Sequence, residues 1–252
     1  MLDYGLKDKV VIITGATGGI GRAIASEFYD LGAQTVLTGR NHEKLFAIRD
    51  ALHADPKKGL EPLCIPLDLT AIEAEETLIQ ETQKNFNRID VLINNAGRVD
   101  SRMFLKSDPV FLQNMIHLNM VVPYNLSRLA LPHMLRNKYG RIISMTSIAG
   151  AMGDAAMSAY AGSKGGMAAF TKAIAAEYGR RGITANCIAP GIIDTEAAHT
   201  IPAQRRKELR DINPMRRFGK PEEVAYLAAF LASERAAYIN GQQIHINGGI
   251  IR

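Results

Sequence analysis

Tyr160 and Lys164 stand four residues apart in the run Tyr160-Ala161-Gly162-Ser163-Lys164, and Ser147 lies thirteen positions upstream. Residues i and i+4 share one face of a helix, so this spacing predicts a phenol beside an ammonium. A free phenol, with a pKa of about 10, holds its proton too tightly at neutral pH. A nearby cation favours the phenolate and lowers that value. The pair therefore predicts a group that gives a proton to a carbonyl oxygen, or takes one from an alcohol. Ser147 is expected to hydrogen-bond the same oxygen and stabilise the charge that develops on it. An isolated pair of this kind is ordinarily just solvated surface. What sets this one apart is a nucleotide site and a Ser in the right order along the chain.

Positioning these groups requires a rigid scaffold, and the chain alternates strand-like with helix-like runs from end to end. Short apolar runs predict strands at Val10–Thr14, Thr35–Thr38, Cys64–Leu67, Val91–Asn94, Ile142–Met145, Thr184–Ile188 and Gln243–Ile246. Helical periodicity covers Ile20–Leu31, Glu43–Leu52, Ile72–Phe86, Pro109–Arg136, Ala159–Arg180 and Pro221–Leu231. Alternating βα units predict a seven-stranded parallel sheet flanked by helices on both faces. No composition shift, low-complexity tract or repeat marks a linker. The expectation is a single doubly wound Rossmann domain of the α/β class over residues 1–252. One stretch, Ala197–Phe218, breaks the rhythm with a cluster of arginines before the last helix. It reads equally as a substrate lid or as a solvated surface helix.

A nucleotide site follows the first strand, in Thr14-Gly15-Ala16-Thr17-Gly18-Gly19-Ile20-Gly21. Glycines there permit a tight turn and let the backbone approach a pyrophosphate at the helix N-terminus. The second strand ends in Gly39-Arg40, where an acidic residue would bind an unphosphorylated ribose. Without that carboxylate, and with a guanidinium that can fork onto a 2′-phosphate, NADP(H) is expected rather than NAD(H). Asp68-Leu69, Asn95-Ala96-Gly97 and Pro190-Gly191-Ile192-Ile193-Asp194-Thr195 follow the third, fourth and sixth strands. They are expected to meet the adenine, the cofactor backbone and, through Thr195, the nicotinamide carboxamide. Each is placed where ligands bind in this architecture, at the carboxyl ends of the strands.

Composition narrows the remaining classes. The chain has 252 residues and is 47% hydrophobic, enough for a large core, and it lacks Trp, so that core must be aliphatic. Cys64 and Cys187 lie in apolar runs and are expected to be buried, reduced strand residues of a cytoplasmic protein. Neither they nor the scattered His residues show metal-ligand spacing. The start, Met1-Leu2-Asp3-Tyr4-Gly5, does not read as a signal peptide, and no run is long enough to span a membrane. A net charge of +5 without interleaved aromatics argues against nucleic acid.

Together these residues closely resemble the short-chain dehydrogenase/reductase family over essentially the whole chain. The resemblance rests on TGxxxGIG at Thr14–Gly21, NNAG at Asn94–Gly97, Ser147, YxxxK at Tyr160–Lys164 and PG at Pro190–Gly191. It implies Tyr160 as general acid/base, with Lys164 lowering its pKa and holding the nicotinamide ribose. It implies Ser147 as the orienter of the substrate carbonyl, and Asn119 as the holder of a water in a proton relay toward Lys164. The C-terminal third, including Pro214–Gly219, Pro221–Ala225 and Asn247-Gly248-Gly249, looks like the 3-oxoacyl-[acyl-carrier-protein] reductases. Those enzymes reduce a β-keto thioester with NADPH in fatty acid biosynthesis. In them, basic residues beside the active-site mouth dock the acidic carrier protein, at positions that fall on Lys138 and Arg181 here, with Arg180 adjacent.

The chain departs from that pattern in places. Gly18 stands where the carrier-protein reductases usually carry an Arg, which leaves the 2′-phosphate more to Arg40. Arg98 replaces the usual small or apolar residue after NNAG, close to the expected substrate, and Met152 and Asp154 are expected to line the same pocket. The same C-terminal pattern occurs in relatives acting on sugars, alcohols and steroids. A reductase of a free ketone, sugar or alcohol is therefore the alternative, and a non-catalytic NADP-binding regulator a remote one. The family is usually tetrameric. The small residues of Ala159–Arg180 and the long helix Pro109–Arg136 would pack across one interface, and the chain end at Ile250-Ile251 would form another.

Overall fold

The computed structural model describes residues 4–54 and 60–250. Met1 to Asp3 and Ile251 lie outside them, and so do the expectations placed there. The strands are β1 (Val10–Thr14), β2 (Gln34–Gly39), β3 (Leu63–Pro66), β4 (Val91–Asn94), β5 (Gly140–Met145), β6 (Ile183–Pro190) and β7 (Gln243–Ile246). They form one seven-stranded sheet in the order β3-β2-β1-β4-β5-β6-β7, parallel at every pairing. The order reverses between β1 and β4. The two chain segments leaving those strands diverge there and open a crevice at their carboxyl ends.

Both faces of the sheet are covered, which is why β1 and β4 read as near-continuous apolar runs rather than alternating with polar residues. Side chains still alternate between faces. In β1, Val11 and Ile13 join one core with Ile24 and Phe28 of α1 (Gly19–Asp30) and Leu45 of α2 (His42–Leu52). Val10 and Ile12 join the other core with Leu78 of α3 (Ala74–Phe86). That second core also takes Leu126 and Ala130 from α5 (Val122–Asn137), which follows α4 (Pro109–Ile116). After α6 (Ala149–Met152), the long α7 (Ser158–Tyr178) adds Ala175 to it. Two helices, α8 (Glu196–His199) and α9 (Ala203–Ile212), precede α10 (Pro221–Ala232), whose Val224 and Ala228 complete the first core.

Three expectations change. The helix predicted from Ile72 begins at Ala74, because Glu73 takes a left-handed conformation (φ 61°) that no α-helix continues through. The helix predicted over Pro109–Arg136 is interrupted by a five-residue π-helical turn, His117–Val121. Pro123 explains the location: it has no N–H to give to the carbonyl of Asn119 four residues back. Cys64 is half-exposed rather than buried, since β3 is an edge strand, whereas Cys187 on the interior β6 is buried; both thiols are free. No helix among the described residues is long and apolar enough to cross a membrane.

Candidate active site

The glycine turn sits where β1 and β4 part. Gly15 has φ +64°, and a Cβ on it would lie 2.8 Å from the Ala96 Cα, so only glycine fits between the two segments. Thr14 and Asn95 lace them together. The Thr14 hydroxyl donates to the Ile93 carbonyl at 3.1 Å and accepts from the Asn95 and Ala96 amides at 3.0 and 2.9 Å. The Asn95 side chain donates back to the Thr14 and Gly15 carbonyls at 2.9 and 3.1 Å. Gly18 is the N-cap of α1 and gives it no side-chain cap, so the first amides of the helix remain available to an anion. A Cβ on Gly21 would run into the Gly15 carbonyl oxygen, and one on Gly19 would come within 2.8 Å of Thr195 Cγ2. The 190–195 segment therefore covers the turn. Ile20 packs at the edge of the core and Ile193 within it.

Beyond β2, a Cβ on Gly39 would lie 3.0 Å from Thr17 Cγ2 and 3.1 Å from its hydroxyl. A residue with a carboxylate there would crowd Thr17. Arg40 is exposed and close enough to Asp68 to draw its carboxyl down, although the main causes of that lowering are the Thr70 amide and hydroxyl. Asp68 Oδ1 accepts from these two groups at 3.0 and 2.7 Å. Leu69 is buried in the second core, which leaves only its backbone for a ligand. The cradle, the uncapped helix start and the exposed guanidinium fit a dinucleotide carrying a 2′-phosphate.

The catalytic candidates converge at the carboxyl ends of β4 and β5. A Cβ on Gly97 would lie 3.0 Å from Asn119 Oδ1 and 3.3 Å from Lys164 Nζ, so these two polar groups meet at the end of the NNAG turn. Asn119 is fully buried in the π-helical turn. Its Oδ1 accepts from the Arg98 amide at 2.8 Å, and its Nδ2 donates to the Arg98 carbonyl at 2.9 Å and sits 3.0 Å from Met115 Sδ. It also donates to Ser163 Oγ at 3.3 Å, whose hydroxyl donates in turn to the Tyr160 carbonyl at 2.7 Å. Lys164 is buried and donates to the Met145 carbonyl at 2.7 Å. Burial pulls its pKa down to about 8, with a small opposing influence from the neighbouring Cys187.

Tyr160 departs from expectation. Its phenol is raised above the ordinary value, by burial first, with a hydrogen bond to Ser147 pulling weakly the other way. The Lys164 ammonium, 6.0 Å from the centre of the Tyr160 ring and held by the Met145 carbonyl, does not offset the burial. Ser147 accepts from the Ala149 amide at 3.2 Å, at the start of α6. Its loop is tied to the PG turn, because the Ile148 amide donates to the Pro190 carbonyl at 3.2 Å. Gly191 is required in that turn, since a Cβ on it would lie 2.9 Å from the Cα of Asn247, the residue that follows β7.

Met152 and Asp154 lie exposed in the loop between Ser147 and Tyr160. The loop ends at Ala156, a non-glycine residue with φ +63° whose carbonyl accepts from the Arg102 amide at 2.8 Å. Arg98 is exposed and paired with Asp100 at 2.6 Å. Asp194, at the root of the 197–218 stretch, pairs with His199 at 2.9 Å and with Arg206 at 3.7 Å.

Lys138 and Arg181 are placed differently from expectation. Lys138 precedes β5 and Arg181 precedes β6, so both stand at the amino ends of the strands, whereas Ser147 follows the carboxyl end of β5. They adjoin each other, because a Cβ on Gly182 would touch the Lys138 carbonyl at 2.5 Å. Within one chain this basic pair is at the opposite ends of the strands from Tyr160, separated by the length of α7, roughly 30 Å. Sequence reasoning also missed the π-helical turn, the Met145 carbonyl that holds Lys164, and Arg102. Of these, only the turn had a signal, in Pro123.

Comparisons with known proteins agree on the kind of enzyme. A family model described as enoyl-(acyl carrier protein) reductase matches residues 15–251. The chain is 36% identical to the 3-oxoacyl-[acyl-carrier-protein] reductase FabG of Pseudomonas aeruginosa, over 97% of this chain and 98% of that protein. It is 34% identical to the FabG of Escherichia coli, over 96% and 97% of the two chains. Among solved structures it is similar to YwfH, an NADPH-dependent reductase involved in bacilysin biosynthesis, with a TM-score of 0.93 and 27% identity, covering 98% of this chain and 99% of that one.

Proposed function

The chain belongs to the short-chain dehydrogenase/reductase family, and on that premise we propose that it reduces a 3-oxoacyl thioester carried on acyl-carrier protein to the 3-hydroxyacyl thioester, in the cytoplasm. It is an NADP(H)-dependent oxidoreductase. The observation that carries the reading is the gathering of Asn119, Ser147, Tyr160 and Lys164 at the carboxyl ends of β4 and β5, beside the glycine cradle. Bound NADPH supplies the hydride. Gly15, Gly18, Gly19 and Gly21 leave room for its pyrophosphate, and Arg40 holds the 2′-phosphate. Thr195, over Gly19, closes the nicotinamide end.

The chain's own groups manage the proton. Tyr160, protonated at neutral pH as any phenol is, gives its proton to the substrate oxygen as charge develops there. Ser147 hydrogen-bonds the same oxygen. Lys164, fixed on the Met145 carbonyl, keeps two further N–H donors for the ribose hydroxyls and for a proton path past Asn119. The 197–218 stretch acts as a lid hinged at Asp194.

The chain works as a homo-oligomer, a tetramer built first across the α5 and α7 faces. Two-fold pairing of α7 in antiparallel fashion would bring Lys138 and Arg181 of one copy to the site end of the other, where they dock the acidic carrier protein. A second reading, reduction of a free ketone in a specialised pathway, is favoured by the likeness to the bacilysin reductase. NADPH oxidation with acetoacetyl thioester on carrier protein, against a panel of free ketones and sugars, separates the two. Turnover of free carbonyls alone sinks the first reading. Light scattering that finds only monomer sinks the assembly.

A further inference from the structure

A cavity of about 330 Å³ opens beside the catalytic cluster. Its inner wall is apolar. Phe111 and Met115 pack against Ala149, Ala159 and Tyr160, and Met115 Sδ also meets the Asn119 amide. Its outer part carries two guanidiniums, Arg98 and Arg102, with Asp108 between them and the start of α4.

Arg102 is held in place before any ligand arrives. Its guanidinium lies over the Phe111 ring at 4.2 Å and donates through Nη1 to Asp108 Oδ2 at 2.8 Å. Its amide is fixed on the Ala156 carbonyl. Asp108 is itself engaged, since its other oxygen accepts from the Phe111 amide at 2.8 Å as the cap of α4. The backbone of Arg98 is clamped on both sides by Asn119, and its Nη2 donates to Asp100 at 2.6 Å. A guanidinium has five N–H donors, and these ion pairs use one on each arginine. The remaining donors form two forks of the kind that bind carboxylate or phosphate.

We propose that the two free guanidinium forks of this cavity bind an oxyanion carried by the 3-oxoacyl substrate. The proposal rests on the reading of the site as one for 3-oxoacyl thioesters. The oxyanion is either a carboxylate at the far end of the acyl chain or the phosphate of the pantetheine arm. The apolar stretch of Val110, Phe111 and Met115 accommodates the methylenes that lead to it.

The test is calorimetric titration of the full chain loaded with NADP+. Three ligands are compared: the pantetheine thioester of 3-oxohexanoate, that of 3-oxohexanedioate with its far carboxylate free, and the phosphopantetheine thioester of 3-oxohexanoate. An anionic ligand should bind about tenfold tighter than the neutral one. R98A and R102A should each shrink that ratio, and R98K and R102K should shrink it less. A gain with the dicarboxylate assigns the oxyanion to the acyl end, and a gain with the phosphopantetheine ester assigns it to the arm. Equal affinities for all three ligands, or a gain that survives in the R98A/R102A double variant, would overturn the proposal. Turnover of the neutral thioester with NADPH is read separately. Its absence alongside an arginine-dependent gain in binding would sink the reductase reading while sustaining the oxyanion site.

Discussion

The side-chain amide of Asn119 pairs with both backbone polar groups of Arg98, accepting at 2.8 Å and donating at 2.9 Å, as one strand pairs with another. One side chain thus fixes the loop that leaves the NNAG turn. Asn119→Ala strands both Arg98 groups in a partly buried place and should lower stability by about 1–2 kcal/mol. It should also lower kcat by about tenfold or more, on the order of a lost positioning contact. Chemical denaturation and steady-state kinetics measure the two effects, and an unchanged kcat would remove Asn119 from the proton path.

Lys164 sets an alkaline limit. Its pKa is pulled down to about 8, below the 10.5 of an unburied lysine. The ammonium is therefore present below pH 8 and lost above it, so kcat/KM should fall with an apparent pKa near 8 on the alkaline side. For stability the sign is opposite. Between pH 8 and 10.5 the unfolded chain binds the extra proton, so stability should rise as pH increases through that window. Lys164→Met should abolish turnover yet raise stability near pH 7, by about 1–2 kcal/mol after loss of the bond to Met145. A pH–rate profile and thermal unfolding of both proteins check this pair of signs.

Burial raises the Tyr160 phenol above the ordinary value, so it stays protonated well above neutral pH. Tyr160→Phe keeps the ring in its apolar cluster and should preserve the fold while lowering kcat by about 10²–10⁴-fold. Ser147→Ala removes the one influence that lowers the phenol and should move its titration further up. Ultraviolet difference titration follows that movement directly, and a downward shift would contradict the assignment.

The cofactor turn tells apart two glycines of similar appearance. A Cβ at Gly21 meets the Gly15 carbonyl, whereas at Gly18 the nearest atom is 3.5 Å away and φ is an ordinary −79°. Gly21→Ala should cost about 1–3 kcal/mol and weaken NADPH binding, and Gly18→Ala should do neither. Gly18→Arg should tighten NADPH, and Arg40→Ala should cut the preference for NADPH over NADH by about tenfold or more. Fluorescence titrations with the two nucleotides give the ratios.

Most of the scaffold was legible because its signal is local. In β1, β4 and β5 a short run of β-branched and aliphatic residues can satisfy both covered faces of a parallel sheet, and no other element fits it. The glycine turn was legible because its glycines are clustered directly after a strand, although the approach that demands Gly15 is made by the distant Ala96. What escaped depends on contacts between distant segments. The carbonyl that holds Lys164 belongs to Met145, nineteen residues away. The phenol's direction of shift is set by how deeply Tyr160 is buried, which the YxxxK spacing does not encode. Lys138 and Arg181 were placed by resemblance, and the direction of β5 and β6 puts them at the amino ends of the strands, away from the site at the carboxyl ends.

The π-helical turn has a consequence for the phase of the helix that contains it. An extra residue in one turn rotates everything beyond it by about 100° relative to an unbroken helix. Met115, before the turn, consequently faces Tyr160, while Val122, after it, faces the sheet. Residue number and angular position are offset by one unit along this stretch, so chain length itself carries information here. A single-residue deletion within 117–121 should heal the helix into regular hydrogen bonding. In doing so it would leave Met115 and Val122 in their present phase, because six residues of regular helix rotate through the same angle as these seven, and the loss would fall on the wide turn that presents Asn119.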